Sequence, residues 1–155
     1  MKYTRLTKEQ FEELHKEFIN FLATQSITVE EWKTIKESTP KVAEQELDVF
    51  SDLVWESVLK KVNYLEHISP QQMHLFSLNE NDMQVIAVKL KRDMDLTTME
   101  GFNWLRENLM DNDVKFVQAK KEYSKDNNLD KFTSIQQGAV ITKGDLFKYF
   151  NKLVG

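Results

Sequence analysis

The pattern of apolar and polar positions is clearest between Pro40 and Val62. No Gly or Pro interrupts the run after Thr39-Pro40. Thr can cap a helix, and Pro suits its first position, where no partner awaits the missing N–H. At helical spacing Ala43, Leu47, Phe50, Val54 and Val58 share one stripe, and Val42, Val49 and Leu53 form a second about a third of a turn away. From Leu53 to Val62 the run is apolar almost all round, with Trp55 and Leu59 included. This pattern predicts a central helix over 40–62, packed on two sides and buried at its C-terminal end, Trp55 included.

Helix starts supply the next signals. Thr7 and Gln10 form a capping box with a Leu6/Phe11 staple, and Thr28 and Glu31 form another with Ile27/Trp32. Ser69 and Gln72 repeat the box around Pro70, and Thr142 with Asp145 gives a weaker version. Thr97 and Glu100 have the box but Gly101 stands where the staple residue belongs. Helices follow over about 8–23, with Phe11, Leu14, His15, Phe18 and Leu22 on one face, and over 29–37. A single helical turn is expected at 70–73. The period then changes to two: 74–78 and 83–90 flank the turn-forming Asn79-Glu80-Asn81-Asp82, which predicts a β-hairpin. A helix over 98–109 turns Met99, Phe102, Leu105 and Leu109 inward. A third strand covers 114–119, with Lys120-Lys121-Glu122 left open between strand and helix. Helices over 129–137 and 143–153 complete the chain, Gly138 ending the first. The expected fold is a single α+β domain over 1–155: a small antiparallel sheet with five to six helices packed around helix 40–62, covering one sheet face.

Composition narrows the chemistry. The 155 residues carry a net charge of −4, and basic residues alternate with acidic ones, as in Lys89, Lys91, Arg92, Asp93 and Asp95. Nucleic-acid binding, which needs a clustered basic face, is disfavoured. There is no cysteine, so disulfides, thiolate metal sites and Cys nucleophiles are excluded. The opening residues lack an apolar signal core and no run reaches membrane-spanning length, so a cytoplasmic location and no membrane association are expected.

Each candidate catalytic motif is incomplete. Glu12-x-x-His15 has the spacing of a carboxylate-bridged di-iron ligand pair, but no second such motif occurs, and His15 reads as a core-edge residue. Asp126, Asn128 and Asp130 match the start of a calcium loop, yet Lys131 replaces the required Gly and Gln137 the bidentate Glu, so a turn and helix cap are expected. Ala87-Val88-Lys89 lacks the acid that a metal-dependent nuclease carries two residues before its lysine. No cofactor and no metal are expected. The remaining oddity is Glu44, Asp48, Asp52 and Glu56, an acidic ridge whose i,i+4 repulsions oppose helix formation by roughly 0.2–0.5 kcal/mol per pair. It is either a solvated or internally neutralised face, or a docking surface for a basic protein partner.

Four stretches, MKYTRLTKEQFEELHKEFINFLATQSIT, AEQELDVFSDLVWESVL, YLEHISPQQMHLF and IQQGAVITKGDLFKYF, carry a resemblance. Through them the chain resembles an uncharacterised family of small cytoplasmic proteins from Bacteroidota, a domain of unknown function. The resemblance implies no activity and no catalytic residue. A histidyl-tRNA synthetase label on some relatives does not transfer, because the chain is far too short and lacks the arginine-bearing ATP motifs. The sequence therefore favours a non-enzymatic protein-interaction module, docking through the ridge or an exposed sheet edge. The alternative is a small hydrolase or metal-dependent enzyme using carboxylates with His15, His67 or His74.

Overall fold

Local capping chemistry sets the helix starts. In the computed structural model, which describes residues 1–154, the Thr7 hydroxyl accepts the Gln10 N–H at 3.2 Å while the Thr7 N–H donates to Gln10 Oε1 at 2.8 Å. Helix α1 (Lys8–Glu13) follows this box. Helix α2 (His15–Thr24) is separate, because Leu14 leaves helical geometry at φ −100°, ψ 20°. The single helix expected over 8–23 is thus two, and no Gly or Pro marks the break. Helix α3 (Val29–Ser38) starts at Thr28, whose hydroxyl accepts the Glu31 N–H at 3.1 Å. The Thr39 hydroxyl turns back and donates to Ile35 O at 3.2 Å rather than capping helix α4 (Pro40–Lys61).

These elements form the first of two compact units, residues 1–60; the second is 61–155. Ala43 and Phe50 of α4 pack with Leu6, Phe18, Leu22 and Trp32. Phe18 is the hub of this core, with ring centroids 5.1 Å from Phe50, 5.2 Å from Trp32 and 5.8 Å from Phe11, all edge-on. The second apolar stripe expected on α4 is not covered: Val42, Val49 and Leu53 are exposed, as is Val58 of the first. Trp55 is half-buried rather than enclosed, since its indole N–H reaches out to Thr4 O at 3.1 Å.

The second unit is built on a five-stranded antiparallel sheet, so the α+β class read from the sequence is the one observed. Its strands are β1 (Tyr64–Ile68), β2 (Gln72–Leu78), β3 (Asp82–Leu90), β4 (Val114–Glu122) and β5 (Val140–Ile141), in the order β4-β3-β2-β1-β5. The expected hairpin is β2–β3, closed where the Asn79 N–H donates to Asp82 O. Lys120-Lys121-Glu122 continues β4 as strand. The helical turn expected at 70–73 is instead a hairpin turn: the Ser69 N–H donates to Gln72 O at 2.8 Å, and β1 and β2 leave from it. A fixed Pro φ serves a β-turn as well as a helix start, so the Ser-Pro signature is ambiguous.

Because paired residues share a face, β2 and β3 send Met73, Leu75, Ile86 and Val88 one way and Leu78 and Met83 the other. The first set packs with Leu105 of α5 (Met99–Glu107) and with Phe147 and Phe150 of α7 (Asp145–Val154). The second packs with Leu65, Ala139 and, from α6 (Asn127–Gln136), Ile135. Helices therefore lie over both sheet faces, not one. Met99, expected inward, is exposed. Thr98, not Thr97, caps α5, and a side chain at Gly101 would collide with the Asp95 carbonyl. With Thr98 as the cap, the staple position moves from Gly101 to Phe102.

Candidate binding site

The acidic ridge is covered by the chain's own first residues. Asp52 receives the backbone N–H of Lys2 on Oδ2 at 2.8 Å and that of Tyr3 on Oδ1 at 2.9 Å. Glu56 Oε1 accepts from Lys2 Nζ at 2.7 Å and from the Tyr3 hydroxyl at 2.6 Å. Arg5 Nε donates to Asp48 Oδ1 at 2.7 Å. Burial, helped by the Glu56 hydrogen bond, pushes the Tyr3 hydroxyl up to about 12. Asp48 holds the Arg5 guanidinium above its ordinary value, and Glu44 adds to this. Tyr3 and Leu6 are buried at either end of this segment, so displacing it would uncover core side chains. Glu44 is exposed. The structure therefore brings Asp48, Asp52 and Glu56 together as the seat of residues 2–5.

A groove opens beside this seat, with a volume of about 510 Å³. One wall is Lys8, Phe11, Glu12 and His15, and the other Val29, Trp32, Lys33 and Lys36. The second set has the spacing i, i+3, i+4, i+7 and is one face of α3, while the first runs along α1 and onto the start of α2 beyond the break at Leu14. Phe18, Ile19, Leu6 and Leu47 also line it, with Arg5 beside them. The apolar lining sits on the phenylalanine core. Around it stand four cations, Arg5, Lys8, Lys33 and Lys36, against Glu12 among the described lining residues. Lys36 Nζ lies 5.9 Å from the Trp32 ring centroid, and Lys8 and Lys33 join no ion pair among the described residues. In a chain of net charge −4 this rim is a local reversal of sign.

The sequence pointed at the ridge and passed over the groove. Phe11 and Phe18 read as core, which Phe18 is. The available signal was Val29-x-x-Trp32-Lys33-x-x-Lys36: an exposed apolar residue and two lysines sharing the face of a buried tryptophan.

The histidines divide between the units. Glu12 and His15 are both exposed on the groove wall, on either side of the break at Leu14, so His15 is not the core-edge residue expected. His67 and His74 face each other across β1 and β2. Burial, then the charges of His67 and Lys89, lowers the His74 pKa. Glu66 lies on the opposite sheet face, where burial and Asp145 raise its pKa. Among the described residues no three His, Asp or Glu side chains are grouped to hold a metal ion. In the calcium-like stretch Asp126 caps α6, accepting the Leu129 N–H at 3.1 Å, and Asp130 accepts the Ser124 N–H at 2.7 Å. No helix among the described residues is long and apolar enough to cross a membrane.

No curated protein and no solved structure matches the chain. The chain belongs to a family of unknown function, DUF6495, whose model matches residues 1–155.

Proposed function

We propose that this chain is a non-enzymatic, cytoplasmic module that binds another protein by taking one of its amphipathic helices into the groove between α1–α2 and α3. The observation that carries this is the groove itself: α1–α2 on one side and a face of α3 on the other, with Phe18 and Trp32 buried beneath, Ile19 partly accessible and Val29 exposed. Such a cleft accepts a third helix by ridge-into-groove packing, and the partner would be read as anchors at i, i+3, i+4 and i+7. Phe18 and Trp32 are already packed in the core, which lowers the ordering cost of association. The ridge enters this reading as the seat of the N-terminal segment, not as the partner surface.

The experiment is titration with a synthetic helix of about fifteen residues carrying a leucine stripe, long enough to be helical once docked. Binding is followed by Trp32 fluorescence in a Trp55→Phe, Trp104→Phe background. Val29→Asp puts a charge on the apolar wall at an exposed site, so it should abolish binding and leave the melting temperature within a few degrees. Equal affinity for the Val29→Asp variant would remove the groove from consideration. Fractionation of the native host tests the location.

A further inference from the structure

We infer that the partner helix is acidic at its flank: its apolar stripe is bordered by Asp or Glu on the side that faces α3. This rests on the groove reading above and specifies whom the groove accepts. Three observations point to it. The α3 wall carries Lys33 and Lys36 with no lining acid beside them, and Lys8 adds a cation on the α1 wall, where Glu12 faces the groove too, so positive charge on a seated helix comes chiefly from the α3 edge. Lys8 and Lys33 are not held in ion pairs among the described residues, whereas Arg5 is paired with Asp48 and also feels Glu44. The chain as a whole is net acidic, so the lining of the groove is opposite in sign to the rest of the protein.

The physical consequence is selection by charge as well as shape. Apolar anchors supply affinity for any amphipathic helix, whereas rim charges discriminate among them and speed encounter. A helix bordered by lysines would place like charges against Lys8, Lys33 and Lys36 and be rejected. Lys36, already lying over the Trp32 ring, can keep that contact while its ammonium meets a carboxylate at the rim.

The test uses three synthetic helices with the same leucine stripe, bordered by Glu, Gln or Lys, titrated into the full chain at low and high salt. The Glu-bordered helix should bind roughly tenfold tighter than the Gln-bordered one, the size expected of two or three partly exposed ion pairs, and the Lys-bordered helix weakest. The advantage should shrink in high salt as the charges are screened. In a Lys33→Glu, Lys36→Glu variant the order should reverse. Both residues are exposed, and if that variant unfolds, Lys33→Gln with Lys36→Gln should erase the preference instead. Equal binding of Glu- and Gln-bordered helices overturns the acidic-partner inference while leaving the groove reading intact. Failure of all three helices overturns both. Saturation of the groove by a simple fatty acid such as decanoate, tighter than by any helix, also overturns both and assigns the groove to acyl chains.

Discussion

The backbone N–H of Leu6 donates to the hydroxyl of Ser51 at 3.0 Å, joining the N-terminal segment to the middle of α4 across 45 residues of chain. The Ser51 side chain is fully buried and its own proton goes to Leu47 O at 2.7 Å. Ser51→Ala improves helix propensity by a few tenths of a kcal/mol. It also leaves the Leu6 N–H without its acceptor, which costs roughly 1–3 kcal/mol. We expect a net loss of about 1–2 kcal/mol in urea unfolding. An unchanged midpoint would mean that the segment is not anchored there.

Asp52→Asn tests the ridge. Removing the charge relieves like-charge repulsion with Asp48 and Glu56, worth roughly 0.2–0.5 kcal/mol per pair. However, each Asp52 oxygen accepts a main-chain N–H, and an amide offers only one acceptor. The hydrogen bonds are charge-assisted, so the loss wins, and destabilisation of about 1–2 kcal/mol is expected. Glu44→Gln, at an exposed position, should stay within about 0.5 kcal/mol. Denaturant melts of both variants decide; a stabilised Asp52→Asn would return the ridge to a partner-binding role.

Alkaline pH should release the same segment. The Tyr3 hydroxyl has its pKa raised from 10.0 to about 12 in the folded chain, chiefly by burial. Above pH 10 the unfolded chain loses this proton first, so it binds fewer protons than the native state and unfolding is favoured. The Tyr3 contribution is fully present below pH 10 and is lost as pH rises toward about 12. Tyr123 shifts to about 12 as well, mainly by burial, and adds to the slope. Tyr3→Phe should therefore flatten, without abolishing, the loss of stability between these limits. An identical pH profile for Tyr3→Phe would count against the buried hydroxyl.

Gly101→Ala should behave opposite to helix propensity. Alanine in a helix interior ordinarily gains about 1 kcal/mol over glycine. Here the added methyl meets the Asp95 carbonyl, a backbone atom that cannot step aside. Overpacking of this kind costs about 1–3 kcal/mol, and thermal melts should show a net decrease in stability.

What the sequence disclosed follows from how local each determinant is. The box at Thr7, the cap at Thr28, the long α4 and the β2–β3 hairpin depend on neighbouring residues, and all were legible. Strand β1 was not, because Tyr64-Leu65-Glu66-His67-Ile68 is short and half polar, and its pairing with β2 is settled by a turn that mimics a helix start. The exposure of Val42, Val49 and Leu53 was equally hidden: periodicity identifies a stripe but not what covers it. The ridge was visible as charge, yet its partners Lys2, Tyr3 and Arg5 lie more than forty residues away. The groove needed the Leu14 break and the approach of α3, neither of which has a local signature.

Backbone amide NMR of the labelled chain, titrated with the Glu-bordered leucine helix, tests the groove most directly. The account predicts shifts clustered at Phe11, His15, Ile19, Val29, Trp32, Lys33 and Leu47, with the Trp32 indole N–H among the most affected and strands β1 to β3 unmoved. Shifts centred instead on Asp48, Asp52 and Glu56 or on the outer edge of β4, or no shifts at saturating peptide, would contradict it.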